Sequence, residues 1–235
     1  MNYILADHYE RESLLPFTFT RPVSHIRVGI LTLTEKWEIM LSAKVSFKTQ
    51  PYLQEKFRLT IGEDNILING SLFPDQEIVE SIMSLQPGQV LLFGGRFMAA
   101  RINRDGVNEF FSNQNLIPVS YSYQLETPQF LTNLWEIFSR NEEAIRKDFK
   151  MLTSGRKSSP IYAPNQLTNM EDIFIEDGAR VSASILNAST GPIYISKNAE
   201  VMDGCMIRGP FALCEGATLK MGTKIYGATT IGPYC

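Results

Sequence analysis

Four side chains near the start of this sequence have the types and spacing for chemistry on phosphate: Asp7, Arg11, Arg21 and Arg27. A guanidinium fork matches the geometry of phosphate oxygens, and three such forks would offset much of the charge on a triphosphate. Asp7 follows a short apolar run (residues 3–6). A carboxylate at the carboxyl end of an opening strand lies where an open α/β sheet binds ligands, and there it can hold Mg2+. Pro22 biases Arg21 toward extended backbone, projecting its side chain away from the chain path. Each of these residues also has a purely structural reading. Arg11 and Arg27 can be solvated surface charges, Asp7 a turn residue, and Arg21 the ion-pair partner of a carboxylate such as Asp7. His8 and His25 have no partner pattern and read as surface or structural histidines. Gly94-Gly95 reads as a hairpin turn rather than a phosphate cradle.

These groups need a scaffold, and residues 1–152 carry alternating β and α signals expected of a Rossmann-like α/β domain. Residues 3–6 read as a short buried strand, followed by an irregular stretch to about residue 29. Thr34 can cap a helix bearing Trp37, Met40 and Leu41 on one face. Ile66-Leu67-Ile68 reads as a buried strand ending in a tight turn at Asn69-Gly70. Pro74 and Asp75 open a helix bearing Ile78, Val79, Ile82 and Met83. Residues 90–93 and 98–102 pair as a hairpin. The stripe Phe130, Leu134, Ile137, Phe138, Ile145, Phe149 and Leu152 predicts one helix from about 129 to 152. Residues 153–165, polar and holding two prolines, read as a linker.

The remaining residues, 166–235, carry a different period. Ile195, Val201, Ile207, Leu213, Leu219, Ile225 and Ile231 recur every six residues. Four positions after each stands Ala199, Cys205, Phe211, Ala217, Thr223, Thr229 or Cys235, all small except Phe211. Neither a helix nor a plain strand repeats at six, whereas a solenoid of very short strands separated by turns does. Three units per coil predict columns of Ile195, Leu213 and Ile231, of Val201 and Leu219, and of Ile207 and Ile225, with Phe211 inward. Ile175 and Val181 read as earlier units, with Ala179 and Ile185 at the small positions. Two extra residues must fall between Val181 and Ile195, most naturally at 187–192. The array is expected to be cut short at Cys235, since solenoids ordinarily finish in a polar cap.

Composition excludes several classes. The 235 residues are 44% hydrophobic and 20% charged with a net charge of −3, and no basic block suggests nucleic acid. No apolar run approaches the ~20 residues of a membrane span, and the first residues do not form a signal peptide. The three cysteines have no metal spacing; Cys205 and Cys235 fall on the inward series and Cys214 outside it. Reduced thiols imply a cytoplasmic protein.

The hexad array resembles the left-handed parallel β-helix of acyltransferases. Joined behind an α/β head, it resembles the bifunctional enzymes that unite a sugar-1-phosphate uridyltransferase (of the N-acetylglucosamine-1-phosphate type) with an acetyltransferase. Within the head, Leu15-Pro16-Phe17-Thr18-Phe19-Thr20-Arg21-Pro22 is similar to the segment of such heads that follows their glycine-rich loop. Ile66-Leu67-Ile68-Asn69-Gly70 is similar to the strand that delivers their metal-binding Gly-Asp. The resemblance implies a nucleoside triphosphate and a sugar-1-phosphate as substrates, Mg2+, and a homotrimer. It implies Arg21 as the catalytic cation and Thr20 and Gly70 as phosphate contacts; Arg11 and Arg27 as phosphate contacts and Asp7 as the metal ligand come from the residue reading above, as compensation for family residues that are missing here. Acetyl-CoA would serve coils beyond Cys235, since a catalytic histidine is expected there and none follows His25. The sequence departs from the pattern at three places. Residues 7–11 contain no glycine, Val23 stands where a lysine follows the proline, and Ser71 replaces the aspartate after Gly70. Two other readings therefore stand beside catalysis: a head that binds a nucleotide or sugar phosphate and only regulates, or a trimerising scaffold.

Overall fold

A computed structural model describes residues 1–110, 117–121 and 127–235. The chain divides into two compact units, one of residues 1–26 and 32–134, the other of 27–31 and 135–235.

The first unit contains β1 (Asn2–Ala6), α1 (Glu10–Ser13), α2 (Leu33–Leu41), β2 (Val45–Lys48), α3 (Pro51–Gln54) and β3 (Asp64–Asn69). It continues with α4 (Gln76–Met83), β4 (Gln89–Phe93), β5 (Arg96–Asn103), α5 (Arg104–Glu109) and β6 (Ile117–Ser120). Its strands form one mixed sheet in the order β2-β1-β3-β5-β4-β6. β1 lies parallel to β2 and β3, β5 runs antiparallel to β3 and β4, and β4 is parallel to β6. Alternation along β1 and β3 sorts side chains to two cores. Tyr3, Leu5, Ile66 and Ile68 pack with Trp37, Ile78 and Ile82, whereas Ile4, Ala6 and Leu67 pack with Phe97, Ile102 and Val107.

The expected hairpin forms at Gly94-Gly95, and Asp75 caps α4 by accepting from Ile78 N–H. The cap of α2 is Thr32 rather than Thr34. Thr32 and Glu35 form a reciprocal capping box, leaving Thr34 inside the helix with its hydroxyl bonded to Ser24 O. The single helix expected over 129–152 does not form. Residues 129–131 bond instead to the stretch after β3: Phe73 N–H donates to Gln129 O and Leu131 N–H to Ser71 O. Helical geometry therefore starts only at residue 136, and Phe138 is 73% exposed.

The second unit contains α6 (Glu136–Ser139), α7 (Asn141–Thr153), β7 (Gln166–Thr168), β8 (Ile173–Ile175), β9 (Arg180–Val181) and β10 (Ile185–Asn187). It continues through β11 (Ile193–Ile195), β12 (Glu200–Val201), β13 (Met206–Arg208), β14 (Phe211–Leu213), β15 (Thr218–Leu219), β16 (Lys224–Ile225) and β17 (Thr229–Ile231). These strands form three parallel sheets, β16-β13-β10-β7, β17-β14-β11-β8 and β15-β12-β9. The chain visits the sheets in rotation, an arrangement consistent with a β-helix. Ile195, Leu213 and Ile231 pair in one column, Val201 with Leu219, and Ile207 with Ile225. Phe211 and Cys205 are buried inside, and Cys235 is exposed.

The irregular coil has a physical cause that the period alone did not reveal. Ile175 pairs with Ile195 and Val181 with Val201, but Leu186 pairs with Ile207. One residue is thus missing between Val181 and Leu186, and the surplus follows Leu186. The shortened corner turns at Ala183, whose φ is 39°. It puts Leu186 in the core and leaves Ile185, expected inward, 36% exposed. Ser184 fills the small inward position and donates its hydroxyl to Ser182 O and Met202 O.

α7 packs Ile145 and Phe149 against Ile30 and the outward-facing Phe174, Tyr194 and Ala212 of β8, β11 and β14. Asp148 accepts from Ile30 and Leu31 N–H, and Asn141 from Gly29 N–H, which holds residues 27–31 to the same face. Cys214 is outside the coil but buried beneath Ile30, whose carbonyl it contacts. Residues 158–165 bond to the first coil: Ser159 N–H donates to Ile175 O and Asn165 Nδ2 to Val181 O. Among the described residues no helix is long and apolar enough to cross a membrane.

Candidate functional site

Parallel strands β1 and β3 end side by side at Ala6 and Asn69, so the residues just after them share one edge of the sheet. Asp7 extends from β1 and accepts from Val23 N–H (2.8 Å) and from the Thr49 hydroxyl (2.5 Å), with Arg11 Nε 3.8 Å away. Burial raises its pKa, an effect opposed by those two hydrogen bonds and by Arg11. Both carboxylate oxygens are thus committed to protein donors that tie the loop at residue 23 to the strand ends. No group of three or more His, Cys, Asp or Glu able to hold a metal occurs among the described residues. Asp7 as arranged does not fit the role of metal ligand.

Arg11 is buried rather than solvated. Its Nη2 donates to Thr18 O (2.9 Å) and to the Tyr52 hydroxyl (2.7 Å), and Tyr52 in turn donates to Phe19 O (3.0 Å). Thr18 closes the lattice by donating its hydroxyl to Arg11 O (2.9 Å). Arg11 is therefore the internal brace of the loop, holding residues 17–19 to α1 and α3. Gly70 is also spoken for, because its N–H donates to Ala6 O (2.8 Å). A Cβ there would stand 3.0 Å from that carbonyl, so the glycine reflects close strand approach and its N–H is not free for phosphate. Arg27 belongs to the second unit, where its guanidinium bonds Ile30 O.

Arg21 and Thr20 are exposed. Arg21 makes no hydrogen bond or ion pair among the described residues, so it is not the partner of Asp7. The latch between Asp7 and Val23 fixes it near the ends of β1 and β3. Two residues C-terminal to Val23, His25 sits edge-on between Phe47 (4.7 Å) and Phe57 (4.6 Å), with Nδ1 3.2 Å from Thr34 Oγ1. That hydroxyl already donates to Ser24 O, so the neutral imidazole carries its proton on Nδ1. Burial lowers the His25 pKa to about 4.

A second cluster on this edge has no signature in the residue spacing. Glu10, fully buried, accepts at Oε1 from Asn69 Nδ2 (3.2 Å) and from Arg96 Nε and Nη2 (3.0 and 2.7 Å). Arg96 lies over the Phe130 ring at 3.7 Å and also reaches the Thr132 hydroxyl. Asn69 Oδ1 accepts from both the N–H and the hydroxyl of Ser71, so Ser71, which replaces the expected aspartate, serves the turn. Glu10 and Arg96 stand 86 residues apart, and no spacing rule links them. The one local hint was Asn69-Gly70 at the end of a buried strand.

The edge thus offers Arg21, without a hydrogen bond or ion pair among the described residues, on a loop held by Asp7 and Arg11, and the Glu10–Arg96 pair tied to Asn69 at the end of β3. Such an arrangement can bind and orient phosphate. No curated protein matches the chain. The sugar nucleotidyl transferase family matches residues 3–157, which spans the braced loop, both strand ends and the Glu10–Arg96 clamp, and the chain belongs to that family.

Proposed function

We propose that this protein makes a nucleotide sugar, transferring a nucleotidyl group from a nucleoside triphosphate to a sugar-1-phosphate, with N-acetylglucosamine-1-phosphate the first to test. The sugar phosphate oxygen attacks the α-phosphorus in line, the bond to the bridging oxygen breaks, and pyrophosphate leaves. The observation that carries this reading is Arg21, free of partners among the described residues on a loop latched to the strand ends. Charge developing on the transferring phosphate is what a positioned guanidinium stabilises. Thr20, exposed beside it, supplies a hydroxyl to the same phosphates. Mg2+ enters with the triphosphate as part of the substrate. Asp7 and Arg11 act by holding the loop.

One set of observations favours a second reading, a head that binds nucleotide or sugar phosphate without turnover. The Gly70 N–H, the Asp7 oxygens and the Ser71 hydroxyl are all engaged within the protein. We attach acetyl transfer from acetyl-CoA to a longer left-handed array of such coils, assembled as a cytoplasmic homotrimer. Calorimetry with UTP and dTTP, each with Mg2+, tests the shared requirement. Binding that weakens in Arg21→Ala supports the site, and no heat with either nucleotide leaves the scaffold reading.

A further inference from the structure

The loop that carries Arg21 also carries two aromatic rings facing solvent, Phe17 (51% exposed) and Phe19 (57%), and α3 adds a third, Tyr52 (60%), whose hydroxyl donates to Phe19 O. Large apolar side chains ordinarily turn inward, and a cluster left outside marks a contact surface. These rings are not outward for want of order beneath them. Thr18, between the two phenylalanines, is fully buried, and its carbonyl and hydroxyl are both bonded to Arg11. Arg11 Nη2 also fixes the Tyr52 hydroxyl. Arg11 thus holds the backbone around Phe17 and Phe19 and the Tyr52 hydroxyl in place before any ligand arrives, so covering these rings costs little further ordering.

We propose that Phe17, Phe19 and Tyr52 form a stacking platform for the nucleobase of the triphosphate, the phosphates running to Arg21. The occupant follows from charge and shape: the rings adjoin a free cation, so the ligand is an anion with an apolar flat part. A nucleotide has that form, since every base offers a π-face. The inference rests on the nucleotide-binding half of the proposed function and goes beyond it by naming what holds the base. The platform discriminates bases weakly, because stacking reads no hydrogen-bonding edge.

The test compares UTP and GTP with inorganic tripolyphosphate, all with Mg2+, on the full-length wild type, Phe17→Ser/Phe19→Ser and Phe17→Leu/Phe19→Leu. Stacking supplies about a 5- to 150-fold margin of nucleotide over tripolyphosphate. Both double variants should lose most of that margin and keep their tripolyphosphate affinity, while Arg21→Ala weakens both ligands. The leucine pair keeps the loop apolar, and Trp37 fluorescence checks that the head is folded. A margin that survives in the leucine pair, or that the wild type lacks, overturns the platform. So does a change of oligomeric mass in the variants without loss of affinity, which would make the rings a contact between copies. A wild type that binds nucleotide with this margin yet releases no pyrophosphate with any sugar-1-phosphate would sink the proposed reaction and leave the platform standing.

Discussion

His25 should make the head acid-sensitive in a way that one substitution removes. Its ring is held between Phe47 and Phe57, and burial lowers its pKa from 6.5 to about 4. Glu35 and Glu38 pull the value up, Arg21 and Lys56 push it down, and burial outweighs all four. The unfolded chain binds a proton near pH 6.5 that the folded chain refuses until about pH 4. The neutral ring's contribution is therefore complete above pH 6.5 and is lost as pH falls toward 4. Linkage gives about 2 kcal/mol lost between pH 7 and pH 5, an upper figure because part of the ring stays in contact with solvent. Urea unfolding followed by Trp37, which is fully buried in the head, reads the loss directly. His25→Phe keeps a ring between the two phenyls and has no proton to gain, so its stability should fall less over the same interval. Carboxylates titrate alike in both proteins and cancel in the comparison. Equal pH dependence in wild type and variant, or an NMR titration placing His25 near 6.5, would refute the reasoning.

Arg96→Ala should cost the head about 3 kcal/mol, because Glu10 is left buried without its guanidinium partner; an unchanged urea midpoint would contradict this. Asp7→Ala removes the acceptor of Val23 N–H and should free the loop there, so phosphate binding should weaken while stability near pH 7 changes by less than in Arg96→Ala. Calorimetry beside urea melts reads both. In the second unit, Leu213→Asp and Leu219→Asp put an unpaired charge among buried aliphatic side chains and should cost more than about 4 kcal/mol or abolish folding. The exposed Lys220→Asp should cost less than about 0.5 kcal/mol. Similar thermal midpoints for all three would contradict the inward phase.

How far each part could be read from sequence follows from the range of the interactions that build it. The short parallel strands of the second unit were legible because each pairs with the next of its sheet at a recurring spacing, as Ile195 does with Leu213 and Leu213 with Ile231. The reading failed where that regularity is broken, at the corner of Ala183, and exchanged Ile185 for Leu186. Strands of the head were legible from runs such as Ile66-Leu67-Ile68. The helix over 129–152 was misread because periodicity cannot show that residues 129–131 bond to the stretch after β3. Arg21 was singled out by its motif, and the structure shows it exposed on the latched loop. Asp7, Arg11 and Gly70 were found by position, but their partners Thr49, Tyr52 and Ala6 lie elsewhere in the chain, and those partners turn ligand candidates into loop supports. Glu10 and Arg96 were missed for the same reason.

The most direct test of the account is pyrophosphate release. The full chain, mixed with Mg2+, N-acetylglucosamine-1-phosphate and each common nucleoside triphosphate in turn, should release pyrophosphate and form a nucleotide sugar of matching mass. Arg21→Ala should lose about 1.5–3 kcal/mol of nucleotide binding and Arg21→Lys recover only part of it, with turnover falling in the same order. Failure to turn over any pair of substrates, or an Arg21→Ala protein as active as the wild type, would contradict the assignment of nucleotidyl transfer to this edge of the sheet.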